Sequence, residues 1–136
     1  MIDELVARDP RVRRLSIDDF LRPEVERFAR GRLSPEGCYR DTHDLPAFCR
    51  EVQKPIAGVL VVDGVFLLRP ELIDLWDLTI HLQLDDDEVV RRALARDPGD
   101  PGEVERRYRE RYLPAQRWYE QEACPAQCAG VVMTRM

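Results

Sequence analysis

The chain has 136 residues and a net charge of −5, with 44% hydrophobic and 35% charged residues. A chain of this length can form one domain whose core needs no disulfide or metal staples. The composition excludes a disordered chain, and no apolar run approaches the ~20 residues needed to cross a bilayer. Because acids outnumber bases, the sequence also argues against a nucleic-acid-binding protein.

The four cysteines do not form a recognisable metal motif. Cys124 and Cys128 are the only close pair, and no second Cys or His pair lies near them to complete a zinc site. We interpret all four as reduced thiols. Together with an N-terminal segment that is charged from Asp3 onwards, this predicts a cytoplasmic protein that does not bind membranes.

Strand-like and helix-like segments alternate along the chain, which predicts an α/β fold. The clearest strand is G-V-L-V-V-D-G at 58–64, whose four consecutive apolar residues favour a central parallel strand buried on both faces. Further strands are predicted at 11–17, at 77–84 and from residue 131.

Helices are predicted between these strands, at about 45–52, from 85 to 97, and from about 103 to 123 with a break or kink at Pro114. Asp85 is a candidate N-cap. The stretch 34–41 is rich in turn residues, and D-P-G-D-P-G at 97–102 is typical of a loop.

Six segments, in this order and spacing, resemble the uridine kinase family of P-loop phosphotransferases, in particular short actinobacterial uridine-kinase-like proteins. They are S-I-D-D-F at 16–20, R-G-R-L-S-P-E-G-C-Y-R-D at 30–41, V-L-V-V-D-G-V-F-L-L-R-P-E-L at 59–72, W-D-L-T-I-H-L at 76–82, R-R-A-L-A-R-D at 91–97 and E-R-R-Y-R-E-R-Y-L-P-A-Q-R-W-Y at 105–119.

The resemblance implies a three-layer P-loop NTPase-like parallel sheet flanked by helices, in a single domain over residues 1–136 with a lid-type loop at 97–102. It also implies ATP-dependent phosphorylation of a nucleoside 5′-hydroxyl, with ATP and Mg²⁺ as cofactors. The partners would be a nucleoside and ATP, and a homo-oligomer is left open.

Asp18 is the candidate catalytic base, because the family places the aspartate of S-x-D-x-F beside the nucleoside hydroxyl. A carboxylate there orients the hydroxyl and accepts its proton. The alternative is an aspartate that only ends a strand or caps a helix. Asp19 is interpreted as a cap.

Asp44 and His43 are the candidate substrate-binding residues. The segment H-D-L-P-A-F resembles a family stretch whose aspartate binds the ribose hydroxyls, and His43 stands where the family has phenylalanine. The alternative role for Asp44 is N-cap of the helix at 45–52.

Asp63 is the candidate metal residue. It follows V-L-V-V and precedes Gly64, and it resembles the family's acidic residue that holds Mg²⁺ directly or through water.

Arg92 and Arg96 are the candidate phosphate-binding catalytic residues. They lie four residues apart, hence on one helical face, and resemble family arginines that stabilise the transferring phosphates. The alternative is a pair of cations near the C-terminal end of a helix.

Two family features are missing from the sequence. No G-x-x-x-x-G-K-[ST] phosphate loop occurs, and only a few residues join Val52 to Val59, where the family inserts a longer segment. We therefore expect an N-terminally truncated domain without its first strand and phosphate loop. The strands at 58–64 and 77–84 would then pair directly, be bridged by another chain, or leave the domain marginal.

The sequence therefore predicts a uridine or cytidine kinase-like phosphotransferase, impaired as it stands. Another small P-loop kinase relative, of phosphoribulokinase or pantothenate kinase type, is a less favoured interpretation. The alternative outside the enzymes is a non-catalytic remnant or a partner-binding fragment.

Overall fold

The computed structural model describes residues 2–134. Its four strands form two parallel pairs. Strand β1 (Val12–Ser16) pairs with β2 (Val59–Asp63), in a register that runs from Val12 opposite Val59 to Ser16 opposite Asp63. Strand β3 (Ile80–Leu82) pairs with β4 (Val131–Met133). The α/β class is thus confirmed.

Eight helices connect and flank the strands within residues 2–134. They are α1 (Ile2–Arg8), α2 (Glu24–Arg27), α3 (Pro35–Asp41), α4 (Leu45–Val52), α5 (Asp86–Arg96), α6 (Pro101–Arg107), α7 (Leu113–Ala123) and α8 (Pro125–Cys128). Short 3₁₀ turns lie at Ile17–Asp19 and Ile73–Leu75, and a π-helical turn at Tyr108–Tyr112 joins α6 to α7. None of the helices described is long and apolar enough to cross a membrane.

Local signals account for most helix boundaries. Asp85 caps α5 by accepting a hydrogen bond from the Glu88 N–H at 2.9 Å, as predicted. The turn-rich interpretation of residues 34–41 was wrong, because this stretch is helix α3. The Ser34 side chain caps it by accepting from the Gly37 N–H at 3.0 Å, with Pro35 in the first turn.

Two strand predictions need correction. Strand β3 is only three residues long, because the predicted segment 77–84 is extended and paired only at Ile80–Leu82. Strand β2 is paired on one edge only, and its first residue, Val59, is 55% exposed. It is therefore not the central strand, buried on both faces, that its apolar run predicts.

The core of the described part of the chain consists of two clusters. One packs α4 against the β1–β2 sheet and is centred on Ile17, Phe48 and Leu72, each fully buried. The other packs α3 against α7 and includes Tyr39, Phe66 and Tyr119. The first cluster lies beneath the turn that follows β1, so it supports the candidate site directly.

Candidate functional site

The carboxyl ends of β1 and β2 lie side by side, because Ser16 is paired with Asp63. Asp18 follows Ser16 in a 3₁₀ turn that is capped by the Ser16 hydroxyl, which accepts from the Asp18 N–H at 3.2 Å. Two of the predicted acids, Asp18 and Asp63, therefore stand at the same edge of one parallel sheet. This edge is where α/β proteins commonly bind their ligands.

Asp18 is held by His43. The Nε2 atom of His43 lies 3.2 Å from Oδ1 of Asp18, and the side chain of Asp18 is 71% exposed, whereas that of His43 is 2% exposed. This hydrogen bond lowers the pKa of Asp18 below its ordinary value. The partial burial of the carboxyl opposes the shift, and a smaller electrostatic interaction with His43 adds to it. Because an ionised carboxylate only accepts hydrogen bonds, Nε2 is the donor.

The main chain brings His43 to Asp18. Leu21 and His43 form an isolated antiparallel bridge. On either side of it, the Arg22 N–H donates to the Thr42 carbonyl at 2.9 Å, and the Asp44 N–H donates to the Phe20 carbonyl at 2.7 Å. The turn after β1 is thereby joined to the α3–α4 connection. His43 lies behind the carboxylate, away from the open surface that a stacking nucleobase would need.

Asp44 is the N-cap of α4, because its Oδ1 accepts from the Ala47 N–H at 3.1 Å. The cap alternative that the sequence left open is thus present in the structure. The other carboxylate oxygen, Oδ2, accepts no hydrogen bond from the described residues.

Asp63 is partly buried, with 28% of its side chain exposed. Its Oδ2 accepts from Arg14 at 2.7 Å, and Arg14 also donates to Asp3 at 2.8 Å. Its Oδ1 is buried and has no hydrogen-bond partner among residues 2–134. A buried acceptor without a donor is uncommon, so Oδ1 is left with unused capacity to accept a hydrogen bond or bind a cation.

Gly64 follows Asp63 directly, at the point where the chain leaves β2. Its φ is +147°, and a Cβ at this position would overlap the Cγ2 atom of the fully buried Ile17. Only glycine allows the two strand ends to approach so closely. The spacing between the Asp18 turn and Asp63 therefore depends on this residue.

Arg92 and Arg96 are not joined to the acids by any contact in residues 2–134. Arg92 donates to Glu88 on its own helix at 2.8 Å. Arg96 donates to Asp97 at 2.7 Å and to the Tyr108 hydroxyl at 2.9 Å. Their role as phosphate ligands stays a prediction, and it requires both guanidiniums to leave these partners.

Arg14 is the site residue that sequence reasoning missed. It lies opposite Val61 in the β1–β2 register, so its side chain is on the same face as that of Asp63, two residues further on. The sequence has two adjacent arginines in β1, Arg13 and Arg14, and it does not show which of them lies on the same face as Asp63, because that depends on the β1–β2 register. The described residues contain no group of three or more His, Cys, Asp or Glu side chains that could hold a metal ion.

Comparisons with known proteins yield a structural match. No protein-family model matches the chain, and no curated protein matches its sequence. Among solved structures, that of a possible uridine kinase from Bacillus stearothermophilus superposes with a TM-score of 0.70 and 16% identity, over 97% of this chain and 79% of the other. The fold is kinase-like. At this identity the similarity establishes the fold alone, and it agrees with the resemblance read from the motifs.

Proposed function

We propose that this chain is a uridine or cytidine kinase-like phosphotransferase domain whose Asp18 binds the 5′-hydroxyl of the nucleoside. The observation that carries the proposal is the Asp18–His43 pair. An exposed carboxylate, held from behind by a buried imidazole, stands at the carboxyl end of β1 beside Asp63. The kinase-like fold supports it.

The lowered pKa of Asp18 determines what this residue can do. The carboxylate is ionised at neutral pH, so it accepts a hydrogen bond from a hydroxyl and orients the oxygen lone pair for attack. A weakly basic carboxylate takes the proton late, as transfer proceeds. His43 is a positioning residue in this scheme, since its Nε2–H keeps Oδ1 in place. Asp44, through Oδ2, would accept from the ribose.

Asp63 is the one residue of the site that would serve as a Mg²⁺ ligand. The orphaned Oδ1 of Asp63 is a hard oxygen ligand of the type that Mg²⁺ prefers, and a Mg²⁺ site often uses one carboxylate with water and phosphate oxygens. When bound, the ion neutralises charge on the phosphates. Asp63 would hold it, with Arg14 fixing the other oxygen at 2.7 Å.

ATP does not fit the described residues in the same way. The sequence contains no phosphate-loop string, and the guanidiniums of Arg92 and Arg96 are engaged by Glu88 and Asp97. We therefore expect weak or no turnover by this chain alone. The lid role of residues 97–102 is part of the same proposal.

The test compares Asp18→Asn with Asp19→Asn. Both residues are exposed and adjacent, and both changes remove one charge, but only Asp18 contacts His43. Uridine binding, measured by saturation-transfer NMR, should weaken at least tenfold in Asp18→Asn and stay unchanged in Asp19→Asn. Equal binding by the two variants, or UMP formation from ATP, Mg²⁺ and uridine that Asp18→Asn leaves intact, would overturn the proposal.

A non-catalytic, partner-binding protein is the second candidate. The observation that favours it is the unpaired edge of β2, which faces β3 across open space. A stable chain that binds no uridine would support this alternative.

A further inference from the structure

Strands β2 and β3 face each other across an open apolar groove, here called the inter-sheet groove. It consists of two adjoining cavities of about 540 and 420 Å³, and both are lined by Val61, Val62, Leu67, Leu68 and Ile80. No strand described in residues 2–134 occupies it, because β2 pairs only with β1, and β3 only with β4.

The two strands run in the same direction along the groove. The first cavity contacts Val59 and Leu78, at the start of β2 and just before β3. The second contacts Asp63 and Leu82, where the two strands end. An extended segment in the groove could therefore run parallel to both neighbours.

Backbone alternation shows which groups face the groove. The Val59 N–H donates to the Arg11 carbonyl at 2.9 Å, so residues 59, 61 and 63 direct their backbone groups towards β1. The Val131 N–H donates to the Thr79 carbonyl at 3.0 Å, so residues 79, 81 and 83 face β4. The N–H and C=O groups of the residues in between, Leu60, Val62, Ile80 and Leu82, point into the groove.

The groove edges are also apolar and open. Ile80 is 52% exposed and Leu82 is 45% exposed. An unpaired strand edge that carries exposed apolar side chains readily pairs with another strand. One inserted strand would bond to both edges and join the two pairs into one parallel sheet.

We propose that the inter-sheet groove binds one extended strand of another polypeptide, parallel to β2 and β3 and apolar over about five residues. This inference does not rest on the proposed kinase function. It commits to a binding partner whose central residues are valine or isoleucine, since branched side chains suit a strand covered on both faces.

The lining of the groove specifies the partner further. Among the described residues, its ionisable members are His81, Tyr119 and two acids at its ends, Asp77 and Asp63, and no lysine or arginine lines it. Charged central residues would therefore be buried without partners. Asp63 lines the groove at the end where the strands finish, and a carboxylate accepts hydrogen bonds, so a hydrogen-bond donor should follow the apolar segment. A second copy of this chain fits less well, because its described strands are all paired and one pair would have to break.

Amide hydrogen exchange on the full chain tests the proposal. The probe is a synthetic peptide of five alternating valines and isoleucines followed by glycine and serine, with a lysine at each end for solubility. Saturating peptide should slow exchange at Leu60, Val62, Ile80 and Leu82 at least tenfold. Val61 and His81, which already face paired strands, are internal references. The same peptide N-methylated at alternate central amides should give no protection.

A pair of variants supplies the control. Ile80→Lys places a charge in the groove, whereas Val131→Lys changes a 43% exposed residue that pairs with Ile80 but does not line the groove. Peptide protection should be lost in the first and kept in the second. If Ile80→Lys does not fold, the proposal is judged on the wild-type chain, by comparing amide protection with the peptide and with its N-methylated form.

Three results would overturn the proposal. The four amides could already be as protected as Val61 in the free chain, which would mean that the groove is closed. The peptide could leave their exchange unchanged. A dimer could form with rising protein concentration and protect the same amides without peptide, which would make a second copy the occupant.

Discussion

His43 lies directly behind the carboxylate of Asp18, with its Nε2 atom 3.2 Å from Oδ1. One side chain of the pair is buried and the other is open to solvent. The buried ring therefore orients an acid that solvent can reach, and it lowers the pKa of that acid.

Replacing His43 by leucine should raise the pKa of Asp18 to its ordinary value of 3.8, because the hydrogen bond that lowers it is lost. A lowered pKa in the folded state stabilises the protein above the unfolded-state value, and this stability is lost as the pH falls through the folded-state pKa. The free energy of unfolding should thus fall more steeply below about pH 4 in the wild type than in His43→Leu. Carboxyl ¹³C NMR and urea unfolding check both effects. An unchanged Asp18 pKa would contradict the role of His43.

Replacing Glu88 by glutamine should free Arg92. Hydrogen bonds from Arg91 and Arg92 lower the pKa of Glu88 to about 2, so this carboxylate competes with any phosphate at neutral pH. ATP should bind about two- to fivefold more tightly to Glu88→Gln, since exposed ion pairs are weak. The gain should vanish in Glu88→Gln/Arg92→Ala. Glu110→Gln, which removes the exposed partner of Arg106, is the control. Equal titration curves for the single and double variants would exclude Arg92 as a phosphate ligand.

Replacing Gly64 by alanine should destabilise the fold by about 2–4 kcal/mol, because the new Cβ meets a buried side chain and the backbone has positive φ. Gly99 is a matched control: its φ is +105° and a Cβ there meets nothing within 4 Å. Gly99→Ala should cost only the backbone strain, about 1 kcal/mol. Urea unfolding measures both. Similar losses in the two variants would show that the contact with Ile17 contributes nothing.

Replacing Arg111 by methionine should cost about 2–3 kcal/mol of unfolding free energy. Its guanidinium is buried and donates to the carbonyls of Gly31, Arg32 and Ser34 at 3.0 to 3.3 Å, so its loss leaves several acceptors without a donor. Arg107→Met, an exposed site on the same helical run, should change stability by less than about 0.5 kcal/mol. Thermal and urea unfolding test the pair, and equal stabilities would contradict the assigned contacts.

The helices were the most predictable part of the fold where their ends carry a cap. The start of α5 is marked by Asp85 and the three acidic residues that follow it, so a short stretch of sequence is enough to locate it. The same logic failed for α3, because Ser34 and Pro35 are both turn residues and helix initiators, and only packing against α7 settles which role they take. The length of β3 was mispredicted for a related reason, since a strand ends where its pairing with a partner ends.

By itself, the sequence determined local properties: the α/β class, strand β2 with Asp63 at its end, the capped helix α5, and the absence of a phosphate-loop string. These depend on side-chain periodicity and on neighbours a few residues apart. Only the tertiary structure decided that His43 contacts Asp18 across 25 residues and that Arg14 contacts Asp63 across 49. It alone also divides the strands into two pairs with a groove between them. Such contacts depend on strand register and on the path of the chain, and neither is encoded in any short window of residues.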